Sequence, residues 1–291
     1  MRPLAEALAS AGARVNSEVR LAFGAIDLLL EADDVAAIRK AVAEVLPTLS
    51  MVAEDGSRRP LAADVCVQPA EGRRKRLLIA DMDSTIINVE CLDELADFAG
   101  LKAEIAAITD RAMRGELEFE GALRERVGKL KGLATGALQQ TYDERVRLNP
   151  GARTLVRTMA ANGARCVLVS GGFTFFTERV AEAAGFHANR ANTLGAYRGK
   201  LNGKVGEPIL GREAKLAALE EEAAALGVPL SATLAVGDGA NDLAMIEAAG
   251  LGVAYRAKPI VAAEADAAVD QADLTALLYF QGYTADEFVA D

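Results

Sequence analysis

The 291-residue sequence has one histidine, three cysteines and no tryptophan. Because His187 stands alone, mechanisms that rely on several histidines are excluded, and any chemistry must use carboxylates, lysine, arginine, hydroxyls or a metal. The cysteines (66, 91 and 166) are far apart in the chain. This spacing excludes both a disulfide framework and a four-thiolate zinc site, and it indicates reduced thiols in a cytoplasmic protein.

Long apolar segments and positive charge are also lacking. No apolar run approaches the roughly 20 residues of a membrane-spanning helix, and the N-terminal residues lack the apolar centre of a signal peptide. The net charge of -10 argues against general binding to nucleic acid or to an anionic membrane. A small anionic substrate is still allowed, because local cations or a metal can reverse the field inside one cleft.

Short apolar runs alternate with helical segments from residue 76 onward. The runs at 76–81, 165–170, 233–238 and 251–255 each end before a turn, which predicts a parallel sheet covered by helices on both faces. Between 93 and 149 only amphipathic helical patterns occur. The sequence therefore predicts an α/β fold, a doubly wound, Rossmann-like core with a helical cap inserted after its first strand. A Gly- and Asn-rich stretch at 190–210 predicts a hairpin or flap.

The first 70 residues predict a small α+β module. A strand is expected at 25–32 and a capped helix at 33–46, while the basic run 71–76 is interpreted as a solvated linker. The predicted division of the chain is a module at 1–72, a catalytic core at 73–94 and 149–291, and a cap at 95–148.

Two aspartates follow the first core strand, in the sequence D-M-D-S-T at 81–85. Carboxylates this close repel each other unless a cation or a shared proton lies between them, and hard oxygen ligands favour Mg²⁺. Asp81 could then attack phosphorus, while Asp83 donates and accepts protons. The alternative is that a D-x-D pair caps a helix, but its position directly after an apolar strand favours a site.

Two other strand ends carry polar groups. Ser170 precedes two glycines, which suits an anion cradle, although an ordinary tight turn would look the same. Asp238 precedes a loop whose Asn241 and Asp242 can complete a metal site. Because ligands bind at the carboxyl ends of parallel strands, these groups are expected to lie near Asp81. Lys215 alone would be a solvated helix residue.

The order of these motifs resembles the haloacid dehalogenase-like phosphatases. The segments DMDSTIINVECLDELADFAG, VSGGFTFF and VGDGANDLAMIEAAGLGVAYRAKP resemble the phosphoserine phosphatase family in particular, over about residues 76–275. The resemblance implies a Mg²⁺-dependent hydrolase that converts O-phospho-L-serine to L-serine and phosphate, the last step of serine biosynthesis.

The resemblance also implies roles for single residues. Asp81 would be the phosphorylated nucleophile and Asp83 the general acid and base. The Mg²⁺ ligands would be Asp81, the Asp83 backbone carbonyl and Asp238, supported by Asn241 and Asp242. Substrate-binding residues would be Glu90 for the ammonium, Arg126 for the carboxylate, Met113 and Phe119 on the apolar side, and Ser170, Gly171, Lys215 and Asn241 around the phosphoryl group.

Two other functions fit the same motifs. The chain could be a related phosphatase or phosphotransferase that acts on another small phosphomonoester, or a catalytically silent regulatory binding protein. The N-terminal module could be a shortened amino-acid-binding regulatory domain, a spacer or a dimerisation unit. A homodimer is therefore an expectation, and no nucleic-acid or membrane partner is expected.

Overall fold

The computed structural model describes residues 2–52, 55–113 and 116–290, with the side chains of residues 2, 52, 110, 112 and 113 left outside the description. Two helices and two β-hairpins form the N-terminal part. Asp34 caps the second helix, since its Oδ1 accepts the N–H groups of Ala36 and Ala37 at 2.8 and 3.1 Å. These elements are α1 (Arg2–Ser10), β1 (Arg14–Ala22), β2 (Ala25–Glu31), α2 (Val35–Val45), β3 (Ser50–Val52) and β4 (Arg58–Pro60).

Strand β1 is absent from the sequence prediction, whereas β2 and α2 lie where they are expected. All but the last two residues of β1 are exposed. The strand lacks a continuous apolar run, and its alternation of Val15, Val19 and Leu21 with polar residues is interrupted by Ser17. It forms by antiparallel pairing with β2, from Arg14 opposite Glu31 to Ala22 opposite Ala25. The backbone partner, rather than side-chain burial, therefore accounts for this strand.

The interpretation of 71–76 as a solvated linker is only partly correct, since residues 71, 72, 74 and 76 are exposed but Lys75 is not. Arg73 forms an ion pair with Asp27 at 2.7 Å, and Arg74 forms one with Glu287, also at 2.7 Å. Lys75 is buried, and its Nζ donates to the carbonyl of Ser231 at 2.9 Å. The acceptors of these cations are distant in sequence, which is why a local reading of the charge run fails.

A sheet of six parallel strands forms the centre of the molecule, in the order β12-β11-β10-β5-β6-β7. Successive residues of β5 alternate between two apolar clusters, Leu77 and Ile79 in one, Leu78 and Ala80 in the other. The predicted α/β fold is confirmed, and so is the hairpin expected near residue 200. The strands are β5 (Leu77–Ala80), β6 (Arg165–Phe173), β7 (Ala188–Asn192), β8 (Leu194–Tyr197), β9 (Lys200–Val205), β10 (Thr233–Gly237), β11 (Leu251–Tyr255) and β12 (Ala267–Val269).

Helices cover both faces of this sheet and also form the segment inserted between β5 and β6. No described helix is both long enough and apolar enough to cross a membrane. The helices are α3 (Cys91–Phe98), α4 (Lys102–Met113), α5 (Phe119–Lys129), α6 (Gly136–Arg145), α7 (Ala152–Ala161), α8 (Thr174–Ala184), α9 (Arg212–Leu226), α10 (Leu243–Ala248), α11 (Pro259–Glu264) and α12 (Ala276–Phe280).

Helix α5 and the segment between α5 and α6 also contact the β8–β9 hairpin. The N–H of Gly132 donates to the carbonyl of Leu201 at 2.8 Å, and the N–H of Leu201 donates to Leu133 at 2.8 Å. The hairpin therefore fastens the inserted helices to the core at a second point, away from the chain crossings. The domain boundaries at residues 72, 94 and 148 stay predictions.

Candidate active site

Three neighbouring strands bring their polar ends together at one edge of the sheet. In the order β10-β5-β6, Ala80 lies opposite both Val236 and Leu168, so Asp81, Asp238 and Ser170 each follow this level by only one or two residues. The N–H of Asp81 continues this pairing by donating to Val236 at 3.0 Å. Asp81, Ser170 and Asp238 therefore meet at the carboxyl edge, where parallel sheets bind their ligands.

Asp81 is buried and lies beside a buried lysine. Its Oδ1 accepts the N–H of Met82 at 2.8 Å and lies 2.6 Å from Lys215 Nζ. Burial raises the pKa of Asp81 well above its ordinary value, the charge of Asp242 raises it further, and Lys215 opposes both. The carboxylate form therefore needs more positive charge than this lysine supplies.

A group of three carboxylates can hold a cation here. Carboxylate oxygens of Asp81, Asp238 and Asp242 lie within 4.8 Å of one another. Burial also raises the pKa of Asp238, and the charge of Asp242 adds to this effect. Hard oxygen donors carrying this much uncompensated charge are ligands that suit Mg²⁺.

Asp242 supports this cluster from within the loop. Its Oδ1 lies 2.5 Å from Lys215 Nζ, and its Oδ2 accepts the N–H groups of Asp238 and Gly239 at 3.2 and 2.9 Å. Through these contacts Asp242 fixes the backbone at Asp238 and the ammonium of Lys215, as expected for a residue that supports a metal site.

The glycines of this loop are required by close packing. A Cβ at Gly237 would lie 2.4 Å from Asp242 Cγ, and one at Gly239 would lie 2.3 Å from Asn241 Oδ1. The Asn241 amide therefore lies against the loop backbone beside Asp238. A larger residue at either position would displace the side chains that surround the carboxylates of the candidate metal site.

Asp83 is held by two donors on opposite sides. Its Oδ1 accepts the N–H of Cys91 at the start of α3, and its Oδ2 accepts the Ser170 hydroxyl, both at 2.9 Å. Burial raises the pKa of Asp83, and these two hydrogen bonds lower it in part. A fixed carboxyl with a raised pKa suits a group that first donates and then accepts a proton.

The Ser-Gly-Gly segment lies directly beneath the inserted helices. Ser170 Oγ also accepts the N–H of Gly172 at 2.8 Å. A Cβ at Gly171 would lie 3.3 Å from the ring of Phe119 on α5, so that ring closes over the cradle. Met113 ends α4, but its side chain lies outside the described residues.

Glu90 and Arg126 provide charge from the inserted segment. Ser84, in a left-handed conformation (φ 56°), donates its hydroxyl to Glu90 Oε1 at 2.6 Å. Glu90 keeps contact with solvent, yet desolvation and the charge of Asp83 raise its pKa to about 7. A carboxylate in this position can form an ion pair with a cationic group of a ligand.

Arg126 is half-buried on α5. Its Nε donates a long hydrogen bond to the carbonyl of Ala122 at 3.4 Å, and among the described residues it takes part in no ion pair. Burial lowers the pKa of Arg126, while Asp93 and Glu90 are near enough to oppose that shift. An anion bound beside this guanidinium would compensate for its desolvation.

Comparison with known proteins identifies the family. The profile of the haloacid dehalogenase-like hydrolases matches residues 78–247, more than half of the chain. This chain is a haloacid dehalogenase-like hydrolase. The family resemblance inferred from the sequence motifs is thereby confirmed.

Two similar proteins of known sequence are both named phosphoserine phosphatase. Over 208 residues this hydrolase is 47% identical to the phosphoserine phosphatase of a Polaromonas species, covering 70% of this chain and 88% of that protein. It is 46% identical over 232 residues to the phosphoserine phosphatase of Streptomyces coelicolor, covering 79% of this chain. Only 56% of the Streptomyces protein is spanned.

A solved structure of a phospho-aspartyl intermediate analogue of phosphoserine phosphatase is also similar. It is 38% identical to this hydrolase, with a TM-score of 0.66, and the match covers 71% of this chain and 99% of the other.

Several site contacts were missed by sequence reasoning. Ser84 and Thr85 belong to the quoted D-M-D-S-T motif, and their hydroxyls at consecutive positions were the available signal. The Ser84 hydroxyl donates a hydrogen bond to Glu90 Oε1, and the Thr85 hydroxyl donates one to Asp238 Oδ1 at 3.0 Å. The N–H of Cys91 gave no signal, since a backbone donor is shared by nearly all residues.

Proposed function

We propose that this hydrolase converts O-phospho-L-serine to L-serine and phosphate, with Mg²⁺ as cofactor and an aspartyl-phosphate on Asp81. The observation that carries the substrate assignment is Arg126, a half-buried guanidinium without an ion pair among the described residues, close to Glu90. Phosphoserine carries the carboxylate, the ammonium and the phosphate that Arg126, Glu90 and the strand-end cradle respectively require. The names of the relatives support the same substrate.

The metal would be held by the Asp81 and Asp238 carboxylates and the Asp83 carbonyl, with Asn241 and Asp242 in support. When bound, Mg²⁺ supplies positive charge that keeps Asp81 ionised and neutralises phosphoryl oxygens. The support for this assignment is the charge requirement of Asp81, Asp238 and Asp242, of which the first and last are buried and Asp238 is half-buried.

In the first half of the reaction the Asp81 carboxylate attacks phosphorus. The P–O bond to the serine side chain breaks, and Asp83 gives its proton to the departing oxygen, which releases L-serine. Asp83 suits this step because its pKa is raised by burial and its orientation is fixed by Cys91 and Ser170.

In the second half Asp83 is the base. It takes a proton from a water molecule, whose oxygen attacks the phosphorus of the acyl phosphate, and the P–O bond to Asp81 breaks. Phosphate leaves, Asp81 is again a carboxylate and Asp83 is again protonated. Ser170, the Gly171 N–H and Lys215 would bind the phosphoryl oxygens throughout, and Met113 and Phe119 would cover the apolar side of the substrate.

A cytoplasmic location accords with a soluble metabolite as substrate, and we propose it here. The homodimer and the regulatory role of the N-terminal part remain predictions from the sequence.

The test uses three phosphate esters that differ at one group each. Phosphoethanolamine is phosphoserine without its carboxylate, and 3-phosphoglycerate is phosphoserine with a hydroxyl in place of the ammonium. Phosphate release is measured with and without Mg²⁺, for wild type and for Asp81→Asn. We expect kcat/KM to be highest for phosphoserine, to depend on Mg²⁺, and to fall about 10⁴-fold or more in the variant.

The outcomes separate the mechanism from the substrate. Equal activity of wild type and a folded Asp81→Asn protein would contradict the aspartyl-phosphate mechanism. Equal or faster hydrolysis of another ester would contradict the phosphoserine assignment and leave the mechanism in place. Absence of any turnover in wild type would favour a silent binding protein.

A further inference from the structure

Two chain segments join the core to the inserted helices, and they pair with each other. Ile87 forms an antiparallel bridge with Leu148. The N–H of Asn88 donates to Arg147 O at 3.1 Å, and the N–H of Arg147 donates to Asn88 Oδ1 at 2.8 Å. Residues 86–89 and 146–149 are therefore a two-stranded connection, called here the hinge ribbon.

Asn149 ends the hinge ribbon and uses both amide hydrogens on the loop that follows β5. Its Nδ2 donates to Thr85 O at 2.8 Å and to Ile87 O at 3.0 Å, and its backbone N–H donates to Ile86 O at 2.8 Å. Residues 85–87 are 0% exposed. Water cannot easily replace these donors, so losing the amide would leave buried carbonyls unsatisfied.

The same threonine reaches the candidate metal site. Thr85 Oγ1 donates to Asp238 Oδ1 at 3.0 Å. Two hydrogen bonds thus connect the ribbon with a carboxylate of the metal cluster, the first through the Thr85 carbonyl and the second through its hydroxyl. Asp83 lies two residues earlier in this loop.

Asparagine is well suited to this position. Its planar amide supplies two hydrogens to two carbonyls, which neither aspartate nor leucine of similar size can do. Pro150 follows and disfavours a helical backbone at residue 149, which agrees with the extended course of the ribbon.

We propose that Asn149 is a positioning residue for the metal site: it fixes the loop so that Thr85 holds Asp238, and thereby couples the hinge ribbon to Mg²⁺ binding. The inference rests on the proposed function in taking Asp81 and Asp238 as metal ligands. Asn149 itself contacts neither substrate nor metal, so its effect passes through Thr85.

The experiment measures Mg²⁺-dependent thermal stabilisation of the full chain, a readout independent of turnover. Groups that orient metal ligands typically contribute 10- to 100-fold in affinity. For Thr85→Val we expect the half-saturating Mg²⁺ concentration to rise about 10-fold, and for the more distant Asn149→Ala about 3- to 10-fold. The matched control is Asn88→Ala, which breaks a ribbon contact without touching Thr85 and should shift the value less than about twofold.

The double variant Asn149→Ala/Thr85→Val provides a second test, because two residues that act through the same contact should not have additive effects on Mg²⁺ binding. If Asn149 acts through Thr85, the double variant should resemble Thr85→Val alone. A role limited to folding would instead lower Tm equally at all Mg²⁺ concentrations. KM for phosphoserine at saturating Mg²⁺ should stay within about twofold of wild type, since no substrate contact is lost.

An unchanged Mg²⁺ response in folded Asn149→Ala, while wild type responds, would overturn the coupling and leave the proposed function standing. Wild type that gains no stability from Mg²⁺ would overturn the metal site and the coupling together. If Asn149→Ala does not fold, the test relies on Thr85→Val. A wild-type half-saturating Mg²⁺ concentration in folded Thr85→Val would overturn the inference.

Discussion

The half of the site at the strand ends and the half contributed by the inserted helices differ in how their charged side chains are paired. At the strand ends, Asp81 and Asp242 are buried, and both are within 2.6 Å of buried Lys215. In the inserted half, Glu90 is bonded to a serine hydroxyl and Arg126 to a carbonyl, each without an ion-pair partner among the described residues. The first half compensates part of its own charge through Lys215, whereas the second lacks its counter-ions.

This difference assigns different tasks to the two halves. Mutually paired buried groups hold a fixed geometry, which is what nucleophilic attack and metal binding require. Unpaired groups at the cleft are costly until a ligand completes them, so they discriminate between ligands that do and do not carry the missing charge. We therefore propose that the chemistry takes place at the strand ends and that the inserted helices select the substrate.

Of the variants considered, Lys215→Met should have the largest effect, because it removes the cation that pairs the charges of the strand-end half. The change leaves two buried carboxylates without their cation, which should cost about 3–5 kcal/mol of unfolding free energy. It also removes the group that we propose binds the phosphoryl oxygens, which should lower kcat about 10³-fold. Denaturant unfolding and phosphate release measure the two effects. Added Mg²⁺ should restore part of the stability, since it again neutralises Asp81.

Lys75→Met is the matched control for that variant. Lys75 is also buried, but its ammonium donates to the carbonyl of Ser231, which lies just before β10 at the opposite edge of the sheet. It should lower stability and leave kcat within about twofold. A Lys215→Met protein with wild-type kcat would show that the strand-end half does not depend on its internal charge pairing.

Arg126→Ala should have the next largest effect, on recognition. Loss of one partner of a buried charge pair costs 2–5 kcal/mol, so kcat/KM for phosphoserine should fall about 100-fold. Phosphoethanolamine, which has no carboxylate, should be hydrolysed within about threefold of the wild-type rate. Steady-state kinetics with both esters tests the difference.

Arg124→Ala controls for the loss of an arginine from the same helix. Arg124 is exposed and pairs with Glu120 and Glu207 at 3.1 and 2.9 Å, so its removal should change kcat/KM for either ester by less than about twofold. If Arg126→Ala slows both esters equally, Arg126 does not read the substrate carboxylate.

The sequence was more informative about the strand-end half than about its connections. Asp81, Ser170 and Asp238 could be placed together because parallel strands bring their carboxyl ends to one edge. The hydrogen bond from Thr85 to Asp238 joins residues 153 positions apart, and that of Asn149 depends on how two chain crossings pair. Such contacts follow from tertiary geometry, and no local pattern encodes them.

The fold shows the same limit. The apolar runs predicted β5, β10 and β11, since burial on both faces leaves a compositional signal. Strand β1, being almost wholly exposed, has no such run, and only a weak alternation of Val15, Val19 and Leu21 with polar residues marks it. The cations at 73–75 looked solvated because Asp27, Glu287 and Ser231 are distant in sequence.

Glu90→Gln should have the smallest effect on kcat/KM, and the pH dependence of substrate selectivity tests it. The pKa of Glu90 is raised from 4.5 to about 7, so Glu90 takes up a proton as pH falls through 7 and can no longer pair with an ammonium. The ratio of kcat/KM for phosphoserine over 3-phosphoglycerate should therefore fall up to about tenfold between pH 8 and pH 6. Both esters carry a phosphate and a carboxylate, so their own titration largely cancels in the ratio.

The variant should have a low ratio that is nearly independent of pH. The control is Glu94→Gln in α3, the helix that begins just after Glu90; the Glu94 carboxylate lies 3.6 Å from Arg145, and this variant should retain the wild-type profile. Because kcat/KM reports ionisations of the free enzyme, the raised pKa is the relevant one. Charge at Asp83 and Asp238 contributes to that shift, so a cation bound beside them would move the inflection below 7 without reversing its direction.

Stability should change with the opposite pH sign. A raised pKa means that the folded protein binds the Glu90 proton more tightly than the unfolded chain, so stability conferred by that proton is lost as pH rises from 4.5 through 7. Glu90→Gln removes this loss, and its unfolding free energy relative to wild type should increase between pH 5 and pH 8. A ratio of specificity constants that keeps its pH dependence in Glu90→Gln would show that another group binds the ammonium, and the inserted half would then lack one of its two recognition charges.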